Sequence, residues 1–133
     1  MSASEALQSA LAAALRTGTA LAIYDAPPTQ AVFPYALVEC GFESDWGHKS
    51  GKGREVRVAV TVRDSGERPV RLHGLMDQIE AVLEAPPAAE GWQIVTFAWQ
   101  RSLSLREGRS PGPVEWTGVA EYRARMLETA SAG

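Results

Sequence analysis

The most regular pattern in the chain is the alternation of apolar and polar positions between Arg54 and Asp64. Every second residue there is a valine: Val56, Val58, Val60 and Val62. Because successive side chains of a strand point to opposite faces, this pattern predicts a strand with one buried face.

Two segments have helical spacing instead. Leucine recurs every fourth position across residues 4–16, which places one apolar stripe on a helix. Ser2 and Glu5 have the spacing of a capping box at the start of this helix. A second helix is predicted after Pro69, which suits a first helical position, and ends before Pro86.

Three further strands are indicated. Residues 33–43 are aromatic and β-branched, and the early Pro34 suggests a strand start or an edge position. Residues 93–106 and 114–127 predict a third and a fourth strand, and residues 22–24 allow one more short strand. The apolar residues expected on one face are Val95, Phe97, Trp99, Leu103, Leu105, Val114, Trp116, Ala120, Tyr122 and Met126.

The predicted order is helix, strand, strand, helix, strand, strand. Two hairpins give a mostly antiparallel four-stranded sheet, and two amphipathic helices can cover only one of its faces. We therefore predict an α+β, two-layer domain over residues 1–133, with long polar loops at 44–53 and 107–113 and a frayed tail at 128–133. The open face would carry Arg57, Arg63, Glu115, Glu121, Arg123 and Arg125.

Composition excludes several classes of protein. Thirteen Lys and Arg against 16 Asp and Glu give a net charge of −3, whereas dedicated nucleic-acid binders usually have a basic excess. The sequence has no apolar run long enough to span a membrane and no signal-peptide pattern at its start, which predicts a cytoplasmic protein without membrane contact. One cysteine and two histidines leave no disulfide framework and no zinc-ligand spacing. No cofactor or metal is therefore expected.

Few residues suggest chemistry. Cys40 lies within a predicted strand, where a buried apolar role is the ordinary one; an enzyme built around its thiol ranks last among our hypotheses. His48 and His73 are interpreted as surface residues. The carboxylates of Asp77, Glu80 and Glu84 share one stripe of the second helix, which is typical of a solvated face.

Two features suggest binding instead. Arg57, Arg63, Arg123 and Arg125 on the open face allow a sequence-independent nucleic-acid-binding module, which we keep as the alternative function. Trp46 stands in a polar loop, where an exposed indole is typical of a protein contact.

Several motifs together resemble a known family. They are Ile23-Tyr24-Asp25-Ala26-Pro27-Pro28, Phe33-Pro34-Tyr35, and Glu43-Ser44-Asp45-Trp46 before a loop rich in Gly and Lys. In combination they are similar to the tail-terminator proteins of tailed bacteriophages, also called tail-completion or head–tail joining proteins, and to the version found in gene transfer agents. The resemblance extends over about residues 5–126.

The resemblance implies a structural role rather than an enzymatic one. Members of this family form a ring, usually hexameric, on the head-proximal end of the tail tube, which ends tube polymerisation. The implied partners are further copies of the chain, the major tail tube protein and the head–tail connector, with DNA only as passing cargo. The chain would be assembled in the cytoplasm and then become part of a phage-like particle.

Candidate sites follow from the polar loops and the acidic helix. The interface candidates are Asp45, Trp46, His48, Lys49, Lys52 and Arg109. Asp77, Glu80 and Glu84 are candidates for the wall of the lumen, where an acidic surface would not retain DNA. The competing interpretation places this stripe on the outside of the ring.

Overall fold

A computed structural model describes residues 1–108 and 114–129 of the chain. Two helices and five strands follow one another along it. They are α1 (Ala3–Gly18), β1 (Ala22–Tyr24), β2 (Tyr35–Asp45), β3 (Gly53–Ser65), α2 (Val70–Leu83), β4 (Trp92–Glu107) and β5 (Glu115–Glu128). Both predicted helices and all four predicted long strands are present.

The sheet has five strands in the order β1-β2-β3-β5-β4, rather than the four predicted. The additional strand is β1, which pairs in parallel with β2, so that Ala22 lies beside Tyr35. All other pairs are antiparallel, which makes the sheet mixed but mostly antiparallel. Tyr24 and Phe33 pack around Tyr35, with ring centroids 5.9 and 5.8 Å from it, and hold this end of the sheet together.

The core lies between the helices and one face of the sheet. The alternating valines of β3 all point into it, as the sequence predicts, and the buried leucines of α1 and α2 meet them there. At the start of α1, Ser2 caps the helix through a 3.1 Å hydrogen bond from the Glu5 N–H to the Ser2 Oγ. The helices cover one face only, so the other face of the sheet is open.

An ion pair fixes the connection from β3 to α2. Asp64 is buried at the end of β3, and both nitrogens of the Arg71 guanidinium edge donate to its carboxylate, Nε at 2.8 Å from Oδ2. The Ser65 N–H donates to the same carboxylate at 2.8 Å. Arg71 lies in the first turn of α2, so this group sets the position of the helix relative to the sheet.

The prediction that the apolar residues of β4 share one face is wrong. Irregular pairing with β5 at Val95 and again at Gln100 shifts the register by one residue each time. Phe97 and Trp99 pair with helix-side residues of β5, whereas Leu103 and Leu105 fall on the open face. A β-bulge adds one residue to a strand and so reverses the faces beyond it.

The second consequence of these bulges concerns burial. Val95, Trp99 and Leu105 are exposed, at 41%, 53% and 51%, although the sequence suggests that they are core residues. Trp116, also predicted in the core, is half-buried against it and donates from its indole to the carbonyl of Gly66 at 3.0 Å.

The predicted loops are shorter than expected where the structure describes them. β2 continues to Asp45 and β3 begins at Gly53, so the 44–53 loop reduces to a tip of 46–52 that is closed by a bridge between His48 and Gly51. Gly53 must be glycine because a Cβ there would collide with the Trp46 carbonyl. Residues 109–113 of the second loop and 130–133 of the predicted tail lie outside the described ranges, and Glu128 belongs to β5.

Candidate assembly surfaces

The tip of the β2–β3 hairpin is an ordered turn. The Asp45 carboxylate accepts from the Gly47 N–H at 3.1 Å and from the Arg54 guanidinium at 3.4 Å. Trp46 is half-buried, contrary to the exposed indole expected from the sequence, and the guanidinium carbon of Arg125 lies 5.8 Å from the centre of its ring. Arg125 of the same chain therefore covers part of the indole, and the rest of the ring stays accessible at the tip.

The other tip residues are exposed. His48 meets the Ser50 hydroxyl at 3.1 Å through Nδ1, and Lys49 and Lys52 extend into solvent. The carbonyl of Lys52 accepts from the Glu128 N–H at 2.8 Å, which ties the tip to the end of β5. The structure thus gathers these residues at one end of the sheet, whereas Arg109 lies outside the described residues.

The acidic stripe of α2 lies beside β4. Asp77 and Glu84 are exposed and Glu80 is half-buried. Glu80 and Glu84 line a groove together with Phe97 and Trp99 of β4. The negative charge of Glu80 adds to the effect of burial, and together they raise the pKa of Tyr122 to about 12. Asp77 and Glu84 are therefore available to solvent or to a lumen, whereas Glu80 is partly enclosed by the groove.

The open face of the sheet carries the predicted charges, and most of them are paired. Arg63 reaches Glu107 and Glu115 at 3.0 and 2.9 Å, and Arg123 and Arg125 both approach Glu55, at 3.7 and 3.1 Å.

Another pair lies beside them on the same face. Arg101 contacts Glu121 at 2.6 Å and holds the pKa of that carboxyl below its ordinary range. Arginines that already neutralise carboxylates leave little net positive charge for phosphates, which counts against the nucleic-acid-binding alternative.

The edges of the antiparallel sheet are a further candidate surface, because an unpaired edge can pair with another chain. β4 is the last strand on one side, and β1 covers only residues 35–37 of β2 on the other. The outer half of β2 carries Phe42, which is 77% exposed, and β4 carries the exposed Trp99. The exposure of Phe42 could not be predicted from the sequence, because the irregular pairing at Gly41 turns its side chain to the open face.

The residues considered for chemistry do not form a reactive site. Cys40 is half-buried against the core, and burial together with the nearby charge of Glu43 raises the pKa of its thiol to about 12. A thiol of this kind stays protonated at neutral pH, and the thiolate is the nucleophilic form. His73 is exposed in the first turn of α2.

The described residues also lack the features of a metal site and of a membrane span. Among residues 1–108 and 114–129, no group of three His, Cys, Asp or Glu side chains is arranged to hold a metal ion. In the same ranges, neither helix combines the length and the apolar character that crossing a membrane requires.

Comparison with known proteins identifies a family and a fold. The family described as tail completion protein gp17 matches residues 5–126, nearly the whole chain. Among solved structures, a chain of the "Virion of native gene transfer agent (GTA) particle" has a similar fold, with a TM-score of 0.76. The two sequences are 21% identical, and the match covers 96% of this chain and 99% of the other. No curated protein matches at a significant level. The family match confirms the resemblance found in the sequence.

Proposed function

The chain belongs to the tail completion protein gp17 family, and from this premise we propose that it forms a ring on the head-proximal end of a phage-like tail tube. The ring ends tube polymerisation and offers its other side to the head–tail connector, while DNA passes through the lumen. Its partners are further copies of itself in a hexamer, the major tail tube protein and the connector. Assembly takes place in the cytoplasm, and the chain then stays in the particle.

The observation that carries the proposal is the family match over residues 5–126. A fold shared with a chain of a gene transfer agent virion over 96% of this chain supports it. The proposed role is structural, as the family match and the shared virion fold suggest.

Within this proposal the hairpin tip provides contacts between subunits. Its candidates remain Asp45, Trp46, His48, Lys49 and Lys52, together with Arg109. Buried aromatic side chains contribute most to interface energies, so Trp46 is the candidate anchor. Asp77, Glu80 and Glu84 are the candidates for the lumen wall, and their exposure suits either that position or the outside of the ring.

Removal of the gene from cells that produce the particle tests the proposed function. Without the terminator we expect DNA-filled heads that are separate from tails, and tails of irregular, excessive length, visible by negative-stain electron microscopy. Normal tails joined to heads would contradict the proposal. Restoring the gene on a plasmid is the control, because it must return both tail length and head attachment.

A further inference from the structure

The two edges of the sheet complement one another. The outer side of β4 has no strand partner in the part of the chain that the structure describes. The outer side of β2 has none from Glu39 to Asp45, because β1 ends at Tyr24, opposite Leu37, and the Val38 carbonyl accepts a hydrogen bond from Gln8 at 2.8 Å. Unpaired strand edges accept an added strand from another chain. We propose that β4 of one copy pairs with the open half of β2 in the next copy. This inference rests on the proposed function, because the ring supplies the second copy.

The direction of pairing follows from symmetry. β2 and β5 run one way through the sheet, and β3 and β4 run the other way. Copies in a closed ring differ only by rotation. The proposed ring has its rotation axis roughly along the strands, so that β2 keeps its direction from copy to copy. β4 therefore meets the next β2 antiparallel, through two different surfaces, as a head-to-tail ring requires.

The strand registers then decide which residues meet. Glu39 pairs with Ala59 in β3, and Ala59 pairs with Glu121 in β5. Glu121 in turn lies opposite Arg101 in β4, so Glu39 and Arg101 end the same row across the sheet. With this row set across the rotation axis, Arg101 of one copy meets Glu39 of the next.

The side chains of the neighbouring row point to the face of the sheet that the helices cover. It runs from Cys40 through Val58 and Tyr122 to Trp99. The half-exposed indole of Trp99 would cover the half-buried thiol of the next copy's Cys40. This contact removes apolar surface of both residues from water, which is favourable.

The third row lies on the open face again. It runs from Phe42 through Arg57 and Arg123 to Ala98. Phe42 is the most exposed aromatic side chain among the described residues, and Ala98 offers a small residue beneath it. In the first row Arg101, which also pairs with Glu121 of its own chain, would reach a second carboxylate. In the other two rows a large ring meets a small residue.

A single substitution tests the pairing, because the native Cys40 provides half of a disulfide. In W99C the two thiols lie about 14 Å apart within one chain, three strand spacings of about 4.8 Å, which is too far for a disulfide. Across the proposed junction they face each other. Mild oxidation of the full-length variant, free and bound to the ends of tail tubes, should give a ladder of bands up to a closed oligomer on a non-reducing gel.

Two variants control this experiment. In C40S/W99C the ladder should disappear, and a surviving dimer would instead indicate β4 paired with β4. L105C places a thiol at a similarly exposed site of β4, but level with Tyr35, where β1 covers β2. It should give no ladder.

A charge exchange tests the first row without a cysteine. E39R alone should weaken self-association, measured by light scattering, by about tenfold, since like charges would meet at the junction. R101E should weaken it as well, but it also breaks the Arg101–Glu121 ion pair within the chain, so the double variant is compared with both single variants. The E39R/R101E double variant should recover most of the loss. Recovery cannot arise within one chain, because the two residues lie at opposite edges of the sheet.

The outcomes separate this inference from the proposed function. If the chain caps tail tubes but W99C forms no ladder and E39R/R101E recovers no association, or if L105C forms a ladder equal to that of W99C, the strand pairing is wrong and the ring is unaffected. In that case the bulges at Gly41 and Gln100 keep the edges unpaired. If the chain does not cap tubes, the proposed function itself fails.

Discussion

Asp64 is the charged residue on which the packing of α2 most directly depends. Only 3% of its side chain is exposed, and the hydrogen bonds from Arg71 hold the pKa of its carboxyl below its ordinary value of 3.8. An acid with a lowered folded pKa stabilises the fold at pH values above its unfolded pKa. That contribution is lost as the pH falls below about 3.8 and through the folded value.

Asp64→Asn should therefore lower the free energy of unfolding at pH 7 by about 1–3 kcal/mol, as expected for buried hydrogen bonds that lose a charged partner. Urea denaturation at several pH values measures the effect. The difference from wild type should shrink as the pH falls below 3.8, because acid then protonates Asp64 in wild type as well. A difference that stays constant from pH 7 to pH 2 would contradict this role of the ion pair.

Cys40 illustrates a residue whose chemistry is suppressed by its position. Cys40→Ala should cost roughly 1 kcal/mol of stability, a small cavity effect, and leave assembly intact, because alanine is also small and apolar. Denaturant unfolding and light scattering provide the two readouts. A well-folded Cys40→Ala protein that no longer assembles would show that the thiol itself is needed.

At the scale of elements, sequence patterns predicted the strands better than their faces. The valine alternation of β3 is regular, because both neighbours of β3 are long strands and helices cover one side of it, and its burial was predicted in full. The alternation in β4 looks similar, yet the extra residues Val95 and Gln100 reverse the faces along it. Bulges depend on the pairing partner and have no local sequence signal here.

Two other differences between the predicted and the observed strands also arise from strand pairing. Pairing of β1 with β2 requires residues 22–24 to meet a strand that begins eleven residues later, which no local pattern records. The hairpin tip was predicted as longer because its Gly and Ser residues are typical of loops, whereas backbone pairing continues to Asp45 and Gly53. The acidic stripe of α2 was predicted correctly because helical spacing alone determines it.

The hairpin tip gives a prediction at this scale. Trp46→Ala should keep the fold with a loss of about 0.5–1 kcal/mol, the value of a cation–π contact with Arg125. It should also weaken assembly, because the exposed part of the indole is the candidate anchor between subunits. Circular dichroism and light scattering separate the two effects, and Trp46→Phe is the conservative control. Unfolding of Trp46→Ala, or its unchanged assembly, would remove Trp46 from the interface.

At the scale of the whole molecule, the distribution of charge bears on the passage of DNA. The open face is largely neutralised by its own ion pairs, whereas the acidic stripe of α2 lies in a segment, residues 74–92, that contains no Lys or Arg. A lumen wall should not bind phosphates tightly, because strong binding would impede DNA movement.

Replacing Asp77, Glu80 and Glu84 together by lysine separates the two positions proposed for the stripe. If α2 lines the lumen, the variant should form particles that deliver DNA poorly, and high salt should release the retained DNA. A variant with lysines at the exposed Asp25, Glu67 and Glu90 has the same charge change and is the control. Normal delivery by well-assembled particles would place the stripe on the outside of the ring.

The central claim is that this chain ends a tail tube, and the length of tubes measures it most directly. Purified tail tube protein is polymerised with and without the full-length chain, and tube lengths and ends are recorded by negative-stain electron microscopy. The proposed role predicts that the chain arrests growth, and that one end of each arrested tube carries a ring of density. Tubes that grow to the same length with bare ends at every ratio of the two proteins would contradict it.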